Sequence, residues 1–146
     1  RRTDRPRPRS YLARQVLSME TLSLRAICFV FIGGGLGSLL RYFTGWGVAH
    51  LLGHATAWAT WGINALGSLV IGYLIGLSAR EVGLNDDYRY LLIIGLCGGF
   101  TTFSTFSADL LHYLRSGAYL QAGGYLLVSI VSALLLVYLG FRWGRS

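Results

Sequence analysis

Apolar positions in this chain gather into four long stretches, at about residues 24–49, 55–79, 90–108 and 116–141. The second and fourth stretches contain no charged residue. Since about 20 residues of helix cross a hydrocarbon layer of roughly 30 Å, each stretch has the length of a membrane span or nearly so. A mean hydropathy of +0.52 and a charged fraction of only 13% agree with this pattern. The sequence therefore predicts an all-α membrane protein with four transmembrane helices.

The third stretch contains an unusual segment, Gly95 to Ser107, which reads GLCGGFTTFSTFS. Its glycines weaken a helix. After the glycines, hydroxyl residues alternate with phenylalanines. Inside a bilayer, backbone groups released from a helix must be paired or must face a cavity or an ion. We therefore predict a break in the third helix and a functional site at that break.

Small residues recur every four positions in the first two stretches, which places them on one face of each helix. The second stretch carries Asn64, Ser68, Gly72 and Gly76 at this spacing, and such faces allow helices to approach closely. Asn64 has two interpretations, a hydrogen bond between helices or a donor in an ion pathway, and spacing alone does not separate them. The first stretch carries its own series: Gly33, Gly37, Arg41 and Gly45.

Charge is distributed unevenly along the chain. All 13 basic residues are arginines, there are 6 acids, and the formal net charge is +7. Residues 1–18 form an arginine- and proline-containing segment that we expect to be disordered, with the membrane domain at residues 19–146. Met19 is the only methionine, so translation starting there is a further hypothesis. A basic segment beside apolar spans indicates orientation or lipid contact rather than nucleic-acid binding.

The distribution of arginines also predicts how the chain lies in the membrane. Four spans place both chain ends and the loop at residues 80–89 on one side. That side carries more arginines than the other, which predicts that it is cytoplasmic. The arginines assigned to that side, apart from those of the N-terminal segment, are Arg25, Arg80, Arg89, Arg142 and Arg145.

The residues inside the predicted spans exclude several kinds of chemistry. No nucleophile–base pair, metal-ligand cluster or P-loop lysine is present, and Asp109 with His112 is too small a set to hold a metal. All six acids are expected outside the spans or at their ends, which argues against proton-coupled transport. Neutral hydrogen-bond donors, phenylalanine rings and Arg41 remain. Donors and positive ring edges suit an anion, although core packing is the commoner role of phenylalanines spaced like Phe103 and Phe106.

Three motifs give the chain a family resemblance: GGGLGSLLRY, ATWGINALGSLVIGYLIG and GLCGGFTTFSTFSAD. With them, the chain from about Leu22 to Gly144 resembles the Fluc (CrcB) family of fluoride channels. The resemblance implies a passive, fluoride-selective channel in the inner membrane of a bacterial-type cell. It also implies an antiparallel, dual-topology homodimer in the lipid bilayer, with two pores along the subunit interface.

The resemblance also implies roles for individual residues. Gly98 and Thr101 would hold a structural, non-transported sodium ion through backbone carbonyls contributed by both subunits. Arg41 would have a structural or vestibular role. Ala133 stands where some relatives carry serine. The hydroxyl donor of that serine is therefore missing here or is supplied by Ser132. The fluoride pathway would comprise Asn64, Thr102, Phe103, Ser104, Phe106, Tyr125 and Ser129.

Two other functions fit the hydropathy pattern. A small four-helix exporter of cationic drugs has a similar size and dual topology, but it requires a membrane-embedded glutamate in the first span, which this sequence lacks. A non-transporting membrane scaffold would use the small-residue faces only for assembly. Neither alternative is an enzyme.

Overall fold

The computed structural model describes residues 23–53, 57–80 and 83–146, and all regular structure in these ranges is helical. Four helices are long and apolar enough to cross a membrane, at Leu24–Leu52, Ala57–Ser78, Asp86–Arg115 and Tyr119–Arg145. The prediction of four spans is confirmed. The basic segment at residues 1–18 and the hypothetical start at Met19 lie outside the described residues.

The helices are numbered in chain order. The first and second spans are α1 (Leu24–Leu52) and α2 (Ala57–Ser78), and the fourth span is α6 (Tyr119–Arg145). The third span has four parts: α3 (Asp86–Tyr88), the π-helix π1 (Arg89–Cys97), α4 (Gly98–Phe100) and α5 (Phe103–Arg115).

Three of the helices extend beyond the predicted apolar stretches. The first continues to Leu52 instead of residue 49, the third runs from Asp86 to Arg115 instead of 90–108, and the fourth continues to Arg145 instead of residue 141. Basic residues remain helical in the last turns of α5 and α6, where a cation interacts favourably with the helix dipole. Between these helices, Gly117 has a φ of 74°, a conformation that glycine adopts readily.

Helix α1 packs against the first part of the third span through glycines on both sides. A Cβ atom on Gly33 would overlap the carbonyl oxygen of Leu91, and one on Gly37 would overlap that of Leu96. In the opposite direction, a Cβ on Gly95 would lie 2.9 Å from the Cα of Gly33. The predicted small-residue contact of α1 is confirmed at Gly33 and Gly37, which are both buried.

A second glycine-mediated contact joins α2 and α6. A Cβ on Gly72 would overlap the carbonyl oxygen of Val137, and one on Gly140 would overlap that of Leu69. At the end of this pair, the Nε of Arg80 donates a hydrogen bond of 2.8 Å to the carbonyl of Gly144. The four spans therefore form two closely packed pairs, and the second part of the third span lies beside α2 and α6.

Polar residues fix the N-terminal ends of the first and third spans. The side chain of Asn85 accepts a hydrogen bond from the backbone N–H of Tyr88 and so caps α3. Arg25, at the start of α1, forms an ion pair with Asp87 of α3. These contacts hold the beginning of the third span beside the beginning of α1.

Candidate functional site

The candidate site begins at two residues of the third span whose backbone is not helical. Thr101 and Thr102 have extended backbone angles, with ψ of 156° and 115°, between α4 and α5. Gly98 is helical, so the extended residues follow the glycines of the segment Gly95 to Ser107 and do not include them. The methyl group of Thr101 occupies the space that a side chain on Gly67 of α2 would need. Absence of a side chain at Gly67 therefore lets this part of the third span lie directly on α2.

Asn64 of α2 binds both backbone polar groups of Thr102. Its Oδ1 accepts from the Thr102 N–H at 2.8 Å, and its Nδ2 donates to the Thr102 carbonyl at 3.1 Å. The hydrogen bond between helices, one of the two interpretations of Asn64, is therefore present. Because an amide group has a further N–H and a further lone pair, Asn64 also retains capacity to bind a ligand.

Thr102 also begins the helix α5 as its N-cap. Its hydroxyl oxygen accepts from the backbone N–H of Thr105 at 3.2 Å and donates to the Thr105 hydroxyl at 3.0 Å. Ser104 lies 3.2 Å from the same hydroxyl, with either group able to donate. Three of the hydroxyl residues in the third span thus form one short hydrogen-bonded group.

A cavity of about 330 Å³ lies beside this break, between α2, α5 and α6. Asn64, Thr102 and Ser129 contribute polar groups to it, and none of its lining residues is ionisable. In the described part of the chain, the hydroxyl of Ser129 is buried without a hydrogen-bond partner. The lining residues are Asn64, Ser68, Ile71, Thr101, Thr102, Phe103, Phe106, Ser129, Ile130 and Ala133.

The two phenylalanines of the site have different surroundings. Phe106 is only 7% exposed, whereas Phe103 is 80% exposed, although their ring centroids lie 5.6 Å apart. Phe106 also lies 5.2 Å from the ring of Tyr125 on α6, with 37° between the ring planes. Core packing therefore describes Phe106 but not Phe103, whose ring is available to a ligand, to lipid or to another chain.

Tyr125 forms a contact that the sequence did not indicate. Its hydroxyl donates to the carboxylate of Asp109 at 3.2 Å, and its ring is buried. Asp109 was expected just beyond the end of the third span, and the helix α5 continues past it to Arg115. Tyr125 and Asp109 come from different helices, so spacing along either helix could not pair them. Tyr125 lies behind Phe106 and is not part of the cavity wall.

Several other candidate residues lie outside the cavity. Gly98 is exposed, and Arg41 of α1 does not line the cavity. Within the described residues, the Nε of Arg41 is buried without a hydrogen-bond partner. Ser132 accepts from Trp61 at 3.0 Å and donates to the Val128 carbonyl, so it does not supply the donor missing at Ala133. Ala133 itself lines the cavity.

Together these features define a multi-pass helical membrane protein with a small, uncharged and largely apolar cavity that carries a few polar groups, beside the two non-helical residues of its third span. The chain matches the family described as CrcB-like protein, Camphor Resistance (CrcB), over residues 28–141. It belongs to the CrcB family.

Individual relatives match almost over their whole length. The chain is 41% identical over 117 residues to the fluoride-specific ion channel FluC of Phocaeicola vulgatus, covering 80% of this chain and 96% of that protein. It is 41% identical over 126 residues to FluC of Bacteroides fragilis, covering 84% and 98%. FluC of Azobacteroides pseudotrichonymphae is 35% identical over 118 residues, covering 81% and 94%.

Proposed function

We propose that this protein is a passive, fluoride-selective ion channel that lets fluoride leave the cytoplasm across the inner membrane of a bacterial-type cell. The single observation that supports this function best is the cavity wall, which combines neutral hydrogen-bond donors with phenylalanine rings and has no ionisable residue. The CrcB family and the names of the related FluC channels identify fluoride as the ion. The protein is accordingly a channel and not an enzyme.

The polar groups of the cavity suit a small anion. The buried hydroxyl of Ser129 has no partner among the described residues, so its hydrogen is available to a ligand. Asn64 holds Thr102 with one N–H and retains a second. Donors of this kind replace part of the hydration shell of an anion, as carbonyls do for cations in other channels. The positive edges of the Phe103 and Phe106 rings add favourable contacts without introducing a fixed charge.

Passive transport follows from the chemistry of fluoride. Hydrogen fluoride crosses membranes as a neutral weak acid and dissociates in a more alkaline cytoplasm, where the anion is trapped. An open pathway then suffices for efflux, and no residue is required to couple fluoride to another ion. Asp109 is inside the third span but accepts a hydrogen bond from Tyr125 and does not line the cavity. We assign it a positioning role for Tyr125 rather than a role in proton coupling.

The functional unit that we propose is an antiparallel, dual-topology homodimer with two pores. The exposed ring of Phe103 supports this assembly, because one wall of the cavity is open where a second copy would close it. Gly98 is also exposed, next to the interruption of the third span. An exposed apolar ring alone would equally suit lipid. The feature that favours a second protein chain is that the polar groups of Asn64, Thr102 and Ser129 lie in a cavity that is open on one side.

The backbone at the interruption fits a structural sodium ion. A helix would pair the Gly98 carbonyl with the Thr102 N–H, but that N–H donates to Asn64. It would likewise pair the Thr101 carbonyl with the Thr105 N–H, which donates to the Thr102 hydroxyl. Both carbonyls have thus lost their usual helical donors, and carbonyl oxygen is a suitable ligand for a hard cation. Sodium would coordinate these carbonyl oxygens and join the two third spans at the subunit interface.

Fluoride efflux from liposomes tests this function directly. We expect purified protein to release loaded fluoride well above the rate of empty liposomes, and no release above that control would exclude a channel. Phe106→Ile removes an aromatic ring at nearly constant volume, and Asn64→Asp replaces the donor to the Thr102 carbonyl by an acceptor. Each variant is expected to slow efflux at least about fivefold with the dimer intact, since one lost hydrogen bond or ring contact is worth about 1 kcal/mol or more.

The same assay separates the alternative functions. A drug exporter would require an acid in the first span, and α1 contains no aspartate or glutamate. A scaffold would release no fluoride from liposomes. If wild-type protein transports fluoride but both variants retain its full rate, Phe106 and Asn64 do not form the pathway, although the channel function stands.

A further inference from the structure

A second, separate groove lies at the end of α5, on the opposite face of that helix from Phe106. It is a shallow surface groove with a volume of about 410 Å³. Ala108 and Leu111 line one part of it, and His112, Arg115 and Ser116 line the other. The groove is therefore apolar at one end and basic and polar at the other.

The depth of each groove residue in the membrane follows from helix geometry. Thr102 is close to the middle of the third span, which extends over 30 residues. At a rise of about 1.5 Å per residue, Leu111 lies roughly 13 Å and Arg115 roughly 20 Å from the membrane centre. The hydrocarbon layer ends at about 15 Å from the centre. The apolar end of the groove thus faces acyl chains, and its basic end lies at the depth of the lipid headgroups.

The positive charge at this depth is available to a ligand. The ion pairs found among the described residues join Arg25 to Asp87 and Arg89 to Asp86, so neither contains Arg115. Arg115 and His112 are both exposed and one helical turn apart. Ser116 lies beside them, with its hydroxyl donating to the Tyr113 carbonyl at 3.0 Å. The helix dipole presents its negative end here, so any attraction for an anion must come from these side chains.

We propose that this groove binds an anionic phospholipid, with Arg115 and His112 on the phosphate and Ala108 and Leu111 along the acyl chain. A permanent guanidinium charge at headgroup depth is complementary to the phosphate, and arginine binds phosphate oxygens through several N–H groups. The apolar end of the groove favours a lipid over a free anion, because only a lipid has an acyl chain that can pack against Leu111. This site is independent of the fluoride pathway, because it lies on another face of α5.

Native mass spectrometry of the full-length protein tests the proposal. The protein is prepared in detergent with added phosphatidylglycerol or phosphatidylcholine, and the retained lipid is counted after dilution. We expect preferential retention of phosphatidylglycerol. Arg115→Gln should weaken that retention about fivefold, the effect of one arginine at the membrane surface. Arg115→Lys should restore most of it, because the charge returns.

Arg142→Gln is the matched control, because Arg142 is an exposed arginine in the last turn of α6. The proposal is supported if Arg142→Gln retains phosphatidylglycerol at the wild-type level and Arg115→Gln loses it. Equal losses in the two variants would indicate general attraction to basic residues and overturn the proposal. It would also be overturned by equal retention of phosphatidylcholine, or by displacement of the lipid with millimolar inorganic phosphate.

Discussion

In the first part of the third span, Gly95 and Gly99 lie directly against the backbone of α1, whereas in the second part hydroxyl groups and rings surround a cavity. Both parts belong to one continuous apolar stretch of sequence. The first uses the absence of side chains to bring two helices together, and the second uses side chains to line a space. The functional groups of this protein thus stand on a helix whose preceding turns are fixed by glycine packing.

This comparison predicts that the α1 contact tolerates almost no added volume. Gly37→Ala would place a Cβ on the Leu96 carbonyl oxygen and 2.8 Å from the Phe100 nitrogen. Because both neighbours are backbone atoms, we expect a loss of about 2 kcal/mol or more and a melting temperature lower by roughly 5 °C or more. Thermal unfolding of the purified protein, followed by size-exclusion chromatography, measures this loss.

Gly35→Ala is the matched control, since a Cβ on Gly35 meets nothing within 4 Å. The two substitutions lie two residues apart on the same helix and add the same methyl group. If both variants had the same melting temperature, close packing on α1 would not be what holds the first part of the third span.

An intermediate effect is expected where the second part of the third span begins. Thr102→Val preserves the shape of the side chain but removes the hydroxyl that caps α5 through the Thr105 N–H. Loss of an N-cap costs about 1 kcal/mol. We therefore expect a smaller fall in melting temperature than for Gly37→Ala, together with slower fluoride efflux, because Thr102 also lines the cavity.

Thr44→Val serves as the control for Thr102→Val. The hydroxyl of Thr44 donates only to the carbonyl of Leu40 within α1, and Thr44 is exposed. This variant should change neither stability nor efflux appreciably. A fall in efflux as large as that of Thr102→Val would show that the hydroxyl of Thr102 has no special position in the pathway.

The smallest effect is expected at Asp109. Asp109→Asn removes the negative charge but leaves an oxygen that accepts the hydrogen bond from Tyr125. If the channel is passive, efflux should remain within about twofold of wild type, because Asp109 does not line the cavity and the amide oxygen still accepts the hydrogen bond from Tyr125. Tyr125→Phe removes the bond itself and is expected to slow efflux more. Fluoride efflux in liposomes at one fixed pH compares the two, and abolition of efflux in Asp109→Asn would contradict a passive mechanism.

The sequence alone was sufficient for the four spans and for the close contact of Gly33 and Gly37. A hydrophobic stretch of about 20 residues has few structures open to it in a bilayer, because its backbone must satisfy its own hydrogen bonds. The family motifs likewise lie in continuous segments and can be read without a structure. The site residues Asn64, Thr102, Phe106 and Ser129 were also named from sequence, and the fold brings them to one cavity.

Only the tertiary structure decided how these residues are paired. Asn64 holds the backbone of Thr102, 38 positions away, and Tyr125 bonds to Asp109 on another helix. Spacing along one helix identifies a face but not the partner of that face, so neither bond follows from periodicity. The same reason explains why Asp109 was placed outside the span and why Ser132 was considered as a donor. The packing of the helices also decides which hydroxyl groups find a hydrogen-bond partner and which, like that of Ser129, find none among the described residues.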